Sequence, residues 1–324
     1  MNRLLGRMLP IVCLLAALMA VATPNQTNGS RSLVLVIGAP GEPGYAEQFS
    51  AWAALWKQAA AKGGLQTVVI GEDKDKPDQD LTRLLTVLTN EVAKPAGELW
   101  LVLIGHGTFD GRSAKFNLRG PDISAADLAA VLKPCRRPLA VIQCASASGP
   151  FLNALSASNR VVITATRSGF EVNATRFGGY LAQAIADPAA DLDKDGQTSL
   201  LEAYLAASRQ VEQFYKEQGR LMTEHSLLDD NGDGLGTPAE WFRGVRSVKS
   251  AADAKAVDGV RTHQMFLVRS DVEQQLSPEL RARRYKLEQE LGALRSRKTK
   301  VNEDEYYRQL EGILLETARL YERK

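Results

Sequence analysis

The chain has 324 residues, 44% hydrophobic and 24% charged, enough apolar material for one large or two modest domains and too much for a disordered chain. Lys and Arg number 40 against 38 Asp and Glu. Arg3 and Arg7 fall in a removable N-terminal stretch, so the remainder is neutral and offers no electrostatic reason to bind nucleic acid.

That stretch carries Arg3 and Arg7, then an uncharged apolar run from Met8 to Ala22 ending in Ala20-Val21-Ala22, then a polar passage from Thr23 to Arg31. This is the build of a secretory signal peptide over residues 1–22, and its apolar part is shorter than the roughly 20 residues of a membrane-spanning helix. The expectation is an exported protein, periplasmic or extracellular, with no membrane span once the leader is gone. From Leu33 onward short apolar runs alternate with helical patterns. The runs are Leu33 to Ile37, Thr67 to Ile70, Leu99 to Ile104, Leu139 to Ile142 and Val161 to Thr164. Helical patterns fall near Tyr45 to Ala61, Gln79 to Val92, Ser124 to Leu132 (with Ser124 and Asp127 as an N-cap pair) and after Gly149. Continuously apolar strands separated by helices predict an α/β domain over 31–245, a mainly parallel sheet covered on both faces.

Between Ala186 and Phe242 acidic, glycine-containing clusters flank a helix-like stretch, Leu200 to Gln218. Residues 246–324 form a C-terminal helical region. It begins with an Ala-rich passage and an apolar run, Met265 to Val268. Ser277-Pro278 then opens a helix carrying Leu280, Leu287, Leu291 and Leu294. A second helix starts at Asn302 and carries Tyr306, Leu310, Ile313, Leu314 and Leu320. The pair predicts a hairpin that packs on the protein's own body and is the candidate surface for a partner.

Cys13 leaves with the leader, so Cys135 and Cys144 remain. The strand between them spans about 30 Å, far beyond the ~7 Å Cα limit of a disulfide, and Cys144 is expected to be a free thiol.

Two predicted strands end in reactive side chains: Leu99 to Ile104 runs into Gly105-His106-Gly107, and Leu139 to Gln143 runs into Cys144-Ala145-Ser146-Ala147-Ser148-Gly149. Open parallel sheets bind ligands beyond the carboxyl ends of their strands, and a right-handed crossover through Ser124 to Leu132 sets these two side by side. A partly exposed sulfur facing an imidazole, with backbone N–H groups nearby, suits thiol acyl transfer.

An apolar strand, His-Gly, about forty residues, a second apolar strand, Cys and then small residues with Ser-Gly resembles the caspase-like cysteine peptidases, and Cys144 to Gly149 is most similar to the legumain branch. The likeness runs from Leu33 to Phe242, including Asn117 to Ile123 between the two strands. It implies a caspase-like three-layer sandwich and an exported cysteine-type endopeptidase, a hydrolase of peptide or protein substrates. It makes Cys144 the nucleophile that forms a thioester, His106 the acid/base, and the Gly107 and Cys144 amides the oxyanion donors; an amine in place of water would make the chain a transpeptidase. It places the pocket for the residue before the cleaved bond at Arg167, Ser168 and Glu171, where Glu171 would select a basic residue and Arg167 an acidic or amide one. The caspase sequence Gln-Ala-Cys-Arg-Gly is absent, so aspartate specificity is not implied. Gly38 to Glu42 lacks the asparagine by which legumains orient the histidine, and a third catalytic residue is unassigned. The alternative is a non-catalytic, calcium-dependent binding protein on the same scaffold.

Two segments match the calcium-loop spacing. In 191–202 the ligand positions are Asp191, Asp193, Asp195, Gln197 (through its carbonyl), Ser199 and Glu202. In 229–240 they are Asp229, Asn231, Asp233, Leu235 (through its carbonyl), Thr237 and Glu240. Calcium of structural role is expected first at 191–202, then at 229–240. No phosphate loop, dinucleotide fingerprint or Gly-x-Ser-x-Gly elbow is present, so no organic cofactor is implied, and His225 and His263 read as ordinary polar residues.

Overall fold

The computed structural model describes residues 30–72, 77–254 and 256–322; the leader read over 1–22, with Cys13, lies outside the described residues. The apolar runs form strands β1 (Ser32–Ile37), β2 (Gln66–Ile70) and β3 (Leu99–Ile104), followed by three short strands, β4 (Gly107–Phe109), β5 (Ala114–Phe116) and β6 (Ile123–Ser124). Next come β7 (Leu139–Gln143), β8 (Arg160–Thr164) and β9 (Leu227–Asp229). The main sheet has the order β2-β1-β3-β7-β8-β9, parallel except for β9, which pairs antiparallel with β8. Strands β4 to β6 make a separate antiparallel sheet beyond the carboxyl end of β3.

Helices cover both faces, which is why the strands read as continuous apolar runs. On one face α1 (Pro43–Lys62) lays Phe49, Trp52 and Trp56, at helical spacing, against Leu33, Leu35, Trp100, Val102, Ala140 and Ile142. On the other, α2 (Asp80–Val92), α3 (Ala125–Leu132) and α4 (Gly149–Leu155) pack Leu84, Leu88, Leu128 and Phe151 on Val34, Val36, Leu101 and Val141. The first layer is completed by α5 (Phe177–Ala184) and α6 (Leu200–Glu217). The protein is thus an α/β three-layer sandwich with a mainly parallel sheet, as its sequence predicts. Ser124 Oγ accepts the Asp127 N–H at 3.1 Å and starts α3 as expected.

The C-terminal part holds α7 (Val260–His263), α8 (Asp271–Gln275), α9 (Pro278–Ser296) and α10 (Glu303–Glu322), and the last two form the predicted hairpin. The division read near residue 245 is not a packing boundary. Met265 and Leu267 belong to the same core as α1 and α6, the Met265 carbonyl accepts the Leu200 N–H at 2.8 Å, and Arg31 beside β1 donates to the Leu267 carbonyl at 3.2 Å. The composition shift marks a surface passage; the buried apolar residues that follow it tie the chain back. Among the described residues, no helix is long and apolar enough to cross a membrane.

Candidate functional site

His106 lies two residues past the end of β3, on the face covered by α1. Its ring stands edge-on to Tyr45, 4.6 Å between centroids, and to Phe49 at 5.1 Å. Its Nε2 lies 3.2 Å from the Pro40 carbonyl oxygen. A carbonyl only accepts, so Nε2 is the donor in this bond and Nδ1 is the nitrogen not engaged by it. The orienting group that the sequence did not supply is therefore a backbone oxygen. Side-chain motifs carry no signal for such a group, although Pro40 stands in the segment where the legumain asparagine is missing.

Cys144 lies on the same face of the sheet, on the strand next to β3, yet it sits deeper than His106. Leu103 pairs with Gln143, and the Cys144 N–H extends that ladder by donating to the Leu103 carbonyl at 2.9 Å. Carried past the strand ends, the register sets His106 level with Ser146, two residues or roughly 7 Å beyond Cys144. The contacts agree: Ser146 Oγ accepts the Gly107 N–H at 3.2 Å and donates to the Gly107 carbonyl at 3.1 Å.

The thiol is sealed. Cys144 is 0% exposed, inside the apolar cluster of α1 and α5. A Cβ added to Gly178 of α5 would lie 2.6 Å from Cys144 Cβ, so only glycine lets the helix close over the sulfur. Burial pushes the thiol up to about 12, which leaves on the order of one molecule in 10⁵ as thiolate at pH 7. Among the described residues no hydrogen bond joins Cys144 Sγ to His106. The expected partly exposed sulfur facing an imidazole is not what the fold builds, because the Cys144 N–H still continues the sheet's hydrogen bonding and α5 closes over its side chain. As anticipated, both described cysteines are free.

Both amides assigned to an oxyanion hole are occupied, Gly107 by Ser146 Oγ and Cys144 by the sheet. Gly107 must be glycine here, since a Cβ would meet the Ser146 carbonyl oxygen at 2.3 Å. The turn is strained at Ala147, whose φ of +52° is sparsely populated by side-chain-bearing residues and which is held by its N–H to the Glu171 carbonyl at 2.8 Å.

The segment after β8 divides the expected pocket residues. Glu171 is not free to select a substrate: its carboxylate meets His225 Nδ1 at 2.6 Å, the backbone N–H groups of Arg167 and His225 at 3.0 and 3.2 Å, and the Arg167 guanidinium at 3.3 Å. Ser168 Oγ accepts the Phe170 N–H. Arg167 keeps an exposed side chain. Beside it Phe170, 78% exposed, stands edge-on to Phe109 of β4 at 5.2 Å, and Val172 is also exposed. The sequence reading missed this aromatic and cationic lip, because Phe109 and Phe170 converge only through the fold. Cavities of about 450, 670 and 860 Å³ are lined without His106, Gly107 or Cys144.

The two acidic loops fold alike. In each, the carboxylate at position 1 caps the N–H groups of positions 4 and 6: Asp191 takes Lys194 and Gly196 at 2.7 and 3.1 Å, and Asp229 takes Gly232 and Gly234, both at 2.9 Å. Position 3 caps position 5 (Asp193 to Asp195, Asn231 to Asp233) and position 5 caps position 7 (Asp195 to Gln197, Asp233 to Leu235). The ligand atoms of Asp191, Asp193 and Asp195 come within 4.8 Å of one another, and burial pushes the Asp195 carboxyl up. Such convergence of oxygens fits a hard cation. The loops are not a helix–loop–helix pair, however. Thr198 Oγ donates to the Asp187 carbonyl, and Thr237 bridges Leu228, the residue just before its own loop.

Position 12 separates the loops. Glu202 is fully buried; its Oε1 accepts the N–H groups of Leu192 and Asp193, and its Oε2 accepts the Ser199 N–H and hydroxyl in a capping box that starts α6. Glu240 is exposed on a short turn. His263, read as an ordinary polar residue, reaches Asp193 Oδ2 at 3.0 Å. Burial acts to lower the His263 pKa, but the bond to Asp193 prevails and raises it. Thr237 Oγ donates to Asp258 Oδ2 at 2.6 Å.

No family model and no curated protein matches the chain. Solved structures with a similar fold include the Drosophila initiator caspase Dronc, at 16% identity over 63% of this chain and 80% of that one, TM-score 0.40. Caspase-1 from Spodoptera frugiperda matches at 7% over 62% and 87%, TM-score 0.39. A protein of Geobacter sulfurreducens matches at 11% over 56% and 89%, TM-score 0.38.

Proposed function

We propose that this chain is an exported, calcium-dependent protein-binding protein on a caspase-like scaffold, and that the rim around His106 receives a partner's peptide segment without thioester chemistry. The observation that carries this reading is the sealed Cys144: a thiol with no exposed surface, pushed up to about 12, is a poor nucleophile and lies beyond the reach of a peptide carbonyl. The occupied amides of Gly107 and Cys144 add to it, since neither is open to a developing oxyanion. The binding rim is argued from Phe109, Phe170, Val172 and Arg167, an exposed apolar patch with a cation at its edge. Extended peptides with an aromatic or aliphatic residue next to an acidic one suit it.

A second reading is the legumain-like cysteine endopeptidase, favoured by one specific observation. His106 turns Nε2 to the Pro40 carbonyl, which leaves Nδ1 as the ring nitrogen that could exchange a proton with a substrate. That enzyme requires α5 to withdraw from Cys144, the Cys144 N–H to leave the Leu103 carbonyl, and Ser146 to release Gly107.

Three measurements on the purified chain in calcium separate the readings. Iodoacetamide at pH 8 followed by intact-mass analysis is expected to leave Cys144 unmodified until the protein is unfolded, and a peptide library is expected to remain uncut. Peptide-array binding should survive Cys144→Ala and weaken at least tenfold in Phe170→Ala with Arg167→Ala. Rapid native labelling of Cys144, together with cleavage abolished by Cys144→Ala and by His106→Ala, would install the peptidase reading.

A further inference from the structure

The end of the sheet opposite His106 holds a separate polar assembly. Ser30 and Arg31 lead into β1 and Glu98 leads into β3, while Arg269 and, on α9, Arg281 and Tyr285 stand across from them. Together they wall a cavity of about 860 Å³. The enclosed charges do not balance. One oxygen of Glu98 is taken by Arg31 at 2.9 Å and the other by Arg269. Glu273 is divided in the same way, between Arg284 at 2.8 Å and Arg281 at 3.2 Å. Each enclosed carboxylate therefore serves two guanidiniums. The other acids nearby, Glu279 and Glu288, lie toward solvent.

Acceptors run short in the same place. Arg269 Nε and the hydroxyls of Ser30 and Tyr285 are enclosed without a hydrogen-bond partner among the described residues, and Arg281 Nε is out of line with the Glu273 oxygen beside it. Enclosed donors left without acceptors are costly and uncommon in folded chains. Burial lowers Arg31 and Arg281, and repulsion from Arg269 adds to both. Burial also pushes the Tyr285 hydroxyl up to about 12, so that it keeps its proton at neutral pH and stays a donor. A guanidinium fork matches the oxygens of a carboxylate or a phosphate.

We propose that this cavity binds the oxyanion of a small molecule, a phosphate or a carboxylate group, between Arg269 and Arg281 with the Tyr285 hydroxyl as a third donor. The anion supplies acceptors where the protein has none and offsets the repulsion among the guanidiniums. The volume is that of a small-molecule site and leaves room for the body that carries the anionic group. The site stands at the other end of the sheet from the peptide rim and does not depend on the function proposed there.

The test is calorimetric titration of the full chain, in chelator and at an ionic strength held constant with sodium chloride, with inorganic phosphate in one arm and succinate in the other. The parent is expected to bind one of them at a single site with a Kd below about 1 mM, and the arm that binds tells phosphate from carboxylate. Tyr285→Phe deletes a hydroxyl that nothing in the protein accepts, so it should keep the parent's melting curve without the anion and weaken binding about tenfold. Arg269→Lys, which keeps the charge and loses the fork, should weaken it by a similar factor, and Arg269→Gln should abolish it. A parent that binds neither anion overturns the proposal. Binding of equal strength in the parent, Tyr285→Phe and Arg269→Lys would also overturn it, showing an adventitious ion only.

Discussion

The loops at 191–202 and 229–240 share a backbone turn and differ in what surrounds it. In the first, the acids are already answered by protein groups. Glu202 is consumed by four donors, Asp193 by His263, and Lys194 folds its Nζ onto the Asp191 carbonyl. In the second, acids accumulate: Asp229, Asp230 and Asp258 are all buried together. Asp230 accepts the N–H groups of Gly259 and Thr262, Asp258 accepts those of Asp230 and Asn231, and Arg261 donates to carbonyl oxygens rather than to these carboxylates. Burial pushes the Asp258 carboxyl up to about 7, with Asp230 repelling it. Position-by-position matching expects calcium first at 191–202, where the ligand atoms of Asp191, Asp193 and Asp195 converge; the buried acids beside the second loop are a competing environment for the ion. A consensus loop can be a cation site or a capped turn, and the difference is decided by groups outside it.

The strongest challenge to this contrast is Glu202→Ala, which removes the buried acceptor of the Leu192, Asp193 and Ser199 N–H groups. A loss of about 3 kcal/mol in urea unfolding is expected, the same with calcium and with chelator. A loss confined to calcium-loaded protein would make Glu202 a metal ligand and break the comparison. Calcium itself comes next. Saturating calcium should raise the melting temperature of the parent chain, by about 2.7 kcal/mol of stability at a hundredfold excess over Kd. If the buried acids hold the ion, that rise should vanish in Asp229→Asn and persist in Asp191→Asn; the opposite pattern places it at 191–202, as the spacing expects.

The smallest effect sharpens the reason. The raised carboxyl of Asp258 means that the folded chain keeps a proton that the unfolded chain gives up near pH ~4. Its contribution to stability is therefore complete below that pH and is lost as pH rises through about 7. In chelator, Asp258→Asn should stabilise the chain at pH 8 by on the order of 1 kcal/mol and flatten the fall between pH 5.5 and 8. An equal fall in the variant would place the buried charge elsewhere.

Much of the architecture was legible because its signals are local. The five parallel strands appear within a residue or so of their apolar runs, and Ser124 and Ser277 cap the helices they were read to cap. What escaped was short or non-local. Strand β9 has three residues, too few for periodicity, and earns its place by pairing with β8. Met265 to Leu267 enters the core as irregular chain, held by the Leu200 N–H and Arg31 rather than by any pattern of its own. At the candidate site the sequence located His106, Gly107 and Cys144 on neighbouring strand ends. It did not reveal that Pro40 offers the orienting carbonyl, that Ser146 stands level with the imidazole, or that Glu171 is spent on His225.

Residue order alone determined the five longer strands, the helices between them and that those strands lie parallel under two helical layers, since burial on both faces is written into the apolar runs of β1, β3, β7 and β8. Whether a side chain at the end of such a strand meets solvent is another matter. Two residues of register separate the level of the imidazole from the thiol beneath α5, and that register is set by hydrogen bonds between strands far apart in the chain. Tertiary packing alone placed Gly178 over Cys144 and gathered acids around one of two loops of the same design, because desolvation and charge depend on neighbours that no local pattern names.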